Sequence, residues 1–138
     1  MGPNSNYPAN QLDWLLDDWV MRVPHIRHAV YLSADGLKMG TTRGLGQDDA
    51  DQLAALAASF HSMARSAGRQ FGGGDVRQTI IEMSGGFLFV SAAGSGTCLA
   101  VLTGPDADMG LIAYEMAILC QRTGDHLGVS MRAPSYDR

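Results

Sequence analysis

Two neighbouring segments constrain this chain more than any others. Residues 87–92 and 98–103 are apolar at successive positions rather than alternate ones, from Phe87, Leu88, Phe89 and Val90 to Leu99, Ala100, Val101 and Leu102. A turn of Ala93, Gly94, Ser95 and Gly96 joins them. Side chains along a strand point to opposite faces in turn, so strands of this kind must be covered on both sides. They predict the middle of a sheet with a layer on each face, and the rest of the chain must supply those layers. Residues 76–83 mix Arg77, Gln78, Thr79 and Glu82 with Val76, Ile80, Ile81 and Met83, which reads as an edge strand entering the same sheet through the turn Ser84-Gly85-Gly86.

Helical spacing accounts for the covering layers. Leu12, Leu15, Leu16, Trp19 and Val20 fall at i, i+3, i+4, i+7 and i+8, with Asp13, Asp17 and Asp18 between them as a solvated face. This helix is expected to begin after Asn10 and to end at Pro24. Residues 26–33 and 37–42 form a hairpin around Ala34-Asp35-Gly36, and Gly40 marks the return strand as a weak edge. Asp48, Asp49 and Asp51 crowd the start of a second helix that runs to about Arg69, each charge where the helix dipole favours it. Leu53, Leu56, Ala57, Phe60, Ala64 and Ala67 are its expected core stripe, and Phe71-Gly72-Gly73-Gly74 a flexible break after it. Gly104-Pro105-Asp106 leads to a last helix with Leu111, Ile112, Met116, Ile118 and Leu119 on its apolar face and a stop at Gly124. The expected fold is α/β in the α+β sense. It is a three-layer sandwich in the order α-β-β-α-β-β-β-α, with a five-stranded, mostly antiparallel sheet and helices on both faces. The 138 residues fit one domain over residues 11–128, between tails at 1–10 and 129–138.

Charge and chemistry exclude several functions. The net charge is −4, with one lysine, Lys38, and scattered arginines, so no cationic patch is available for nucleic acid. Met1 to Asn10 are polar and form no secretory signal, and Asn6 stands where a lipidation motif needs Ser or Thr. No apolar run reaches the ~20 residues of a membrane span, and the expected location is cytoplasmic. Cys98 and Cys120 read as buried thiols in a reducing compartment. The glycine clusters precede strands, not helices, and no GxxxxGK[ST] or GxGxxG occurs, so they read as turns and not as phosphate cradles. His25, His28, His61 and His126 have no metal-binding spacing and read as surface or loop histidines. Glu115 is expected at a solvated helix margin. Ser33, Ser91 and Ser95 lack a GxSxG context, and no nucleophile, base and orienter come together. The expectation is no catalytic residues, no cofactor and no metal.

The face of the second helix away from its core stripe carries Ala55, Ala58, Ser59, Ser62 and Ser66, flanked by Asp51, Arg65 and Arg69. Small side chains let another helix approach closely. A free strand edge beside such a face invites a symmetric dimer.

Three stretches then carry a resemblance: LDWLLDDWVMRVPHIRHAVYLSADGL, DDADQLAALAASFHSMARSAG and GGFLFVSAAGSGTCLAVLT. In this order the chain resembles the roadblock/LC7 domain, over about Gln11 to Gly128. It is most similar to the bacterial members encoded in conservon-type operons beside a sensor-kinase-like protein and a Ras-like GTPase. The resemblance implies a homodimer with Ala55, Ala58, Ser59 and Ser62 of the helix and Arg77, Thr79 and Ile81 of the edge strand at the subunit contact. It also implies a platform for a small GTPase, with Arg65, Ser66 and Arg69 at its rim. The sensor-kinase-like protein is a further candidate partner. No arginine finger is evident, so any acceleration of GTP hydrolysis would come from positioning. The alternative is a small-molecule-sensing or adaptor module of PAS or profilin-like type. That reading needs a ligand cavity of several hundred Å³ with converging polar groups, whereas Phe87, Phe89, Leu99 and Val101 predict a filled core.

Overall fold

A computed structural model describes residues 7–135 apart from residue 95; for residues 7–10 and 124–135 it describes the helical backbone only. The lipidation check at Asn6, the outer parts of both expected tails, Ser95 and the His126 side chain lie outside the described residues. Eight elements follow in order: α1 (Tyr7–Arg22), β1 (Ile26–Ser33), β2 (Lys38–Thr41), α2 (Gln47–Gln70), β3 (Gln78–Met83), β4 (Gly86–Ala92), β5 (Thr97–Thr103) and α3 (Met109–Ser135). The five strands form one sheet in the order β2-β1-β5-β4-β3. Every neighbouring pair is antiparallel. β4 and β5 are buried on both faces, as their unbroken apolar runs require, and β2 and β3 are the edges.

The sheet divides the core into two clusters. On one face α1 and α3 pack Leu12, Leu16, Trp19, Ile112, Met116 and Leu119 against Ala29, Tyr31, Phe87, Phe89, Leu99 and Val101. On the other, α2 packs Ala50, Leu53, Ala54 and Ala57 against Val30, Leu32, Leu88, Val90, Cys98 and Ala100. One row of paired residues crosses the whole sheet on the α2 side, Thr41–Val30–Ala100–Val90–Thr79: apolar in the middle, threonine at each edge.

Several boundaries differ from expectation for physical reasons. α1 starts at Tyr7 rather than after Asn10, because Pro8 suits a first helical turn, where its missing N–H has no partner to lose. Gly124 does not stop α3, which continues to Ser135; a glycine inside a helix costs only about 1 kcal/mol. Asp108 begins that helix, its Oδ1 accepting the Leu111 N–H at 3.2 Å.

The aspartates of α1 are not merely a solvated face. Asp13 Oδ1 accepts the Thr41 N–H at 2.8 Å. Asp17 accepts the Arg43 N–H at 2.9 Å and the Arg43 Nε–H at 3.0 Å. Only Asp18 faces outward, paired with Arg22 at 3.1 Å. The two inner carboxylates therefore occupy donors on the open side of β2, which blunts an edge that would otherwise pair with another chain. Gly40 permits the approach, since a Cβ there would stand 2.8 Å from Leu12 Cβ. Asp13→Ala is expected to cost about 1 kcal/mol, the scale of a charge-assisted bond discounted for partial exposure, whereas Asp18→Ala stays within about 0.5 kcal/mol. Urea midpoints of the two variants check this.

Candidate docking face and adjoining clefts

The phase of α2 decides what it presents. Its buried residues are Ala50, Leu53, Ala54, Ala57 and His61, with Phe60 partly buried beside them. The expected stripe was thus rotated: Leu56 is 46 % exposed and Ala67 is exposed, while Ala50, Ala54 and His61 face the sheet. Alanines on the inner row let the helix lie close to the strands, and helix geometry then sends Leu56 outward. His61 is correspondingly not a surface or loop histidine but a buried residue in mid-helix.

The outward row of α2 is Gln52, Ala55, Leu56, Ser59, Met63 and Ser66, all exposed. Ser59 Oγ donates back to the Ala55 carbonyl at 3.1 Å, so its hydroxyl is locally satisfied and leaves the row smooth. Ser62 is also exposed, toward the flank that carries Arg65 and Arg69. Ala58 is half-buried against the β1–β2 turn, where a Cβ on Gly36 would lie 3.6 Å from the Ala58 Cβ.

Beyond α2 lies β3, paired with β4 only. Thr79 and Ile81 are half-buried on the α2 side, Ile81 packed against that core cluster and Thr79 Oγ1 buried without a partner. Arg77 lies before the strand rather than in it, on the wall of a groove facing α3. Leu56, Met63 and Met83 are each 46–60 % exposed, and Ile80, 40 % exposed, lies on the other face of the same edge strand, paired with Phe89. This concentration of apolar side chains around one helix face and one free strand edge is the kind of surface that marks an interface. The α2 anchors, Leu56 and Met63, were not legible as such in the sequence. The signal that could have found them is the alanine row at 50, 54 and 57, whose spacing fixes the opposite face.

Two depressions adjoin this surface. A groove of about 680 Å³ runs between the β3 end of the sheet and α3, lined by Arg77, Gln78, Ser91, Ala113, Ala117 and Gln121 among others. It is open to solvent and reaches the margin of the α1/α3-side core at Ala93 and Cys120, and Gln78 Nε2 already donates to Ser91 Oγ at 3.0 Å. The volume is ligand-sized, but the filled core expected from Phe87, Phe89, Leu99 and Val101 is intact, all four being buried.

A smaller cleft of about 400 Å³ lies on the α2 side, lined by His61, Arg65, Arg69, Gly74, Asp75, Val76 and Ala92. Its far wall exists because residues 71–74 are a tight return, not a loose break. The Gly73 N–H donates to the Gly68 carbonyl at 2.8 Å, and a Cβ on Gly68 would stand 2.4 Å from the Gly74 oxygen. Arg69 Nη2 donates to Ser66 Oγ at 3.3 Å.

Among the described residues no group of three His, Cys, Asp or Glu side chains is placed to hold a metal ion. No helix among them is long and apolar enough to cross a membrane. Cys98 and Cys120 are buried in opposite core clusters, and burial raises both thiols, Cys120 to about 11. Tyr31 hydroxyl hydrogen-bonds Thr123 Oγ1, and burial pushes its pKa well above the ordinary phenol range.

Burial pulls the His61 imidazole below its ordinary value, and the Arg65 charge adds to this. Arg69 and Asp75 share its cleft, and Cys98 of β5 feels the same arginine. As pH falls, the unfolded chain, titrating near ~6.5, takes up the proton first. Stability present above that pH is therefore lost below it. In chloride buffer, the drop in Tm between about pH 7.5 and about pH 5.5 is expected to be larger for wild type than for His61→Gln. Parallel curves would contradict it.

Comparisons with known proteins bear on the fold and the family. The family model described as Roadblock/LC7 domain matches residues 12–103. A crystal structure of a Roadblock/LC7 domain from Streptomyces avermitilis is 53 % identical, with a TM-score of 0.80, covering 84 % of this chain and 97 % of that one. A second Roadblock/LC7 domain from the same organism is 41 % identical, with a TM-score of 0.68, over 81 % and 97 % of the two chains. Myxococcus xanthus MglB shares the fold at a TM-score of 0.77 with 13 % identity, over 86 % of this chain and 96 % of its own. No functionally curated protein matches. This chain belongs to the Roadblock/LC7 domain family.

Proposed function

We propose that this protein is a non-catalytic, homodimeric regulator or scaffold that binds a small Ras-like GTPase in a bacterial signalling complex. The observation that carries the reading is the exposed face of α2 beside the unpaired edge of β3, with Leu56, Met63 and Met83 uncovered around a row of small side chains and Ile80 exposed on the other face of that edge strand. In this reading Ala55, Ser59 and Ser62 meet their symmetry mates on α2, with Leu56 and Met63 as apolar anchors and Ala58 at the margin. Thr79 and Ile81 support the β3 edge where two sheets join, and Arg77 lies beside it. Arg65, Ser66 and Arg69 form the rim that faces the GTPase.

The domain spans residues 11–128, works in the cytoplasm as in conservon-type complexes, and needs no cofactor. A sensor-kinase-like protein is a second partner. GTP hydrolysis, where it is accelerated, is accelerated by ordering the GTPase's own loops. The ligand-sensor alternative draws support from the depressions beside β3, and it predicts a small molecule instead of a protein.

Light scattering at tens of micromolar is expected to give about twice the 14.7 kDa of one chain. Capture from native lysate with GDP or a non-hydrolysable GTP analogue should enrich a Ras-like GTPase in one nucleotide state. A turnover assay with that GTPase then separates an activator from a scaffold. A monomer that captures no GTPase in either state would sink the proposal.

A further inference from the structure

We propose that the cleft between the C-terminal half of α2 and the segment entering β3 is an anion site for a small hydroxylated phosphomonoester. His61, Arg65 and Arg69 stand at i, i+4 and i+8, so one flank of the helix turns three nitrogen-bearing side chains toward the same space. The glycine return at 71–74 sets the opposite wall, and Gly74, at φ +83°, occupies a conformation that favours glycine.

Two features of the cleft are incomplete in the protein alone. His61 is 9 % exposed, yet its Nδ1 is buried with no hydrogen-bond partner, a condition native folds rarely leave unexplained. The ion pairs among the described residues are Arg22–Asp18, Lys38–Asp51 and Arg43–Asp17, so neither Arg65 nor Arg69 is neutralised there by a carboxylate. Two guanidiniums one helical turn apart repel each other, and an anion between them removes that repulsion. Guanidinium geometry matches the paired oxygens of a phosphate group. Binding would also favour the imidazolium form of His61, which donates from both nitrogens.

The remaining wall says what accompanies the phosphate. Asp75 lines the cleft but lies beyond ion-pair distance of either arginine. A second anion on that wall would be repelled, whereas a hydroxyl could donate to it. Val76 and Ala92 supply apolar floor, and about 400 Å³ exceeds what a bare phosphate ion fills. The site goes beyond the docking reading and does not rest on it, since the measurement below needs neither dimer nor GTPase.

The full chain is titrated with inorganic phosphate and, separately, with ribose 5-phosphate, against chloride at matched ionic strength. The His61 ring and the α2 backbone amides are followed by NMR. Both probes are expected to raise the His61 titration midpoint and to move amides along residues 61–69. Ribose 5-phosphate should bind about tenfold tighter, the effect of one added hydrogen bond. Arg65→Gln with Arg69→Gln, at two exposed positions, should abolish the response, and Asp75→Asn should remove only the preference for the ester. Absence of a shift at millimolar probe, or a shift unchanged in the double arginine variant, would overturn the site. Equal affinity for ion and ester would overturn the ester assignment.

Discussion

Ser59→Arg is expected to turn the proposed dimer into a monomer at micromolar concentration. Ser59 sits in the middle of the outward row of α2, exposed and bonded only to its own helix. The row is smooth because its central side chains are small, and an arginine there would hold two helices apart. A two-fold interface receives every substitution twice. At about 2 kcal/mol per copy, the scale of an interface hot spot, the loss is about 4 kcal/mol, or roughly a thousandfold in dissociation constant. Ser62→Glu, on the flank of the same row, should act in the same direction by placing paired like charges near the axis. Both sites are exposed, so the thermal stability of the folded chain should change little apart from the part lost with dimerisation. Molar mass by light scattering across a dilution series checks the expectation. An unchanged mass in both variants would place the interface elsewhere.

Gly86→Ala should be the most damaging small substitution in the sheet. Gly86 opens β4 opposite Met83, at φ +155°, and a Cβ built on it would stand 1.9 Å from the Thr103 carbonyl oxygen. That atom is backbone in β5, so relief requires the two central strands to separate where Phe87 pairs with Thr103. Strain of this kind belongs with the largest single-residue effects, on the order of 3–5 kcal/mol. A domain stabilised by about twice that would lose on the order of 10–20 °C in Tm. Gly85→Ala is the control. Nothing lies within 4 Å of a Cβ at Gly85 and its φ is not positive, so its Tm should move by no more than a few degrees. Equal losses in the two variants would show that turn flexibility, not the close approach to Thr103, makes Gly86 necessary.

The contrast between these adjacent glycines shows how far local pattern reaches. In the sequence both are turn residues; only the position of β5 distinguishes them. The same limit applies to α2. Its existence, extent and terminal charges follow from Asp48, Asp49 and Arg69, but its rotation does not. Alanine carries little contrast between core and surface, and Leu56 pulled the expected stripe toward the wrong side. Asp13 and Asp17 fit a solvated helix face equally well until β2 is placed beneath them. His61 reads as polar until the sheet closes over it. Phe71 to Gly74 reads as slack until the return crosses Gly68.

Contrast over a few residues carries everything that could be read before folding. The unbroken apolar runs of β4 and β5 place them at the centre, the mixed run of β3 places it at an edge, and helical spacing yields covering layers on both faces. The family likeness rests on that same ordered pattern. Only the folded chain sets β1 beside β5, chooses the outward side of α2, and brings Arg65, Arg69 and Asp75 to the walls of one cleft. Those outcomes depend on pairings between residues far apart in the chain. Such pairings are selected by the free energy of closing the whole three-layer core, which no window of neighbouring residues contains.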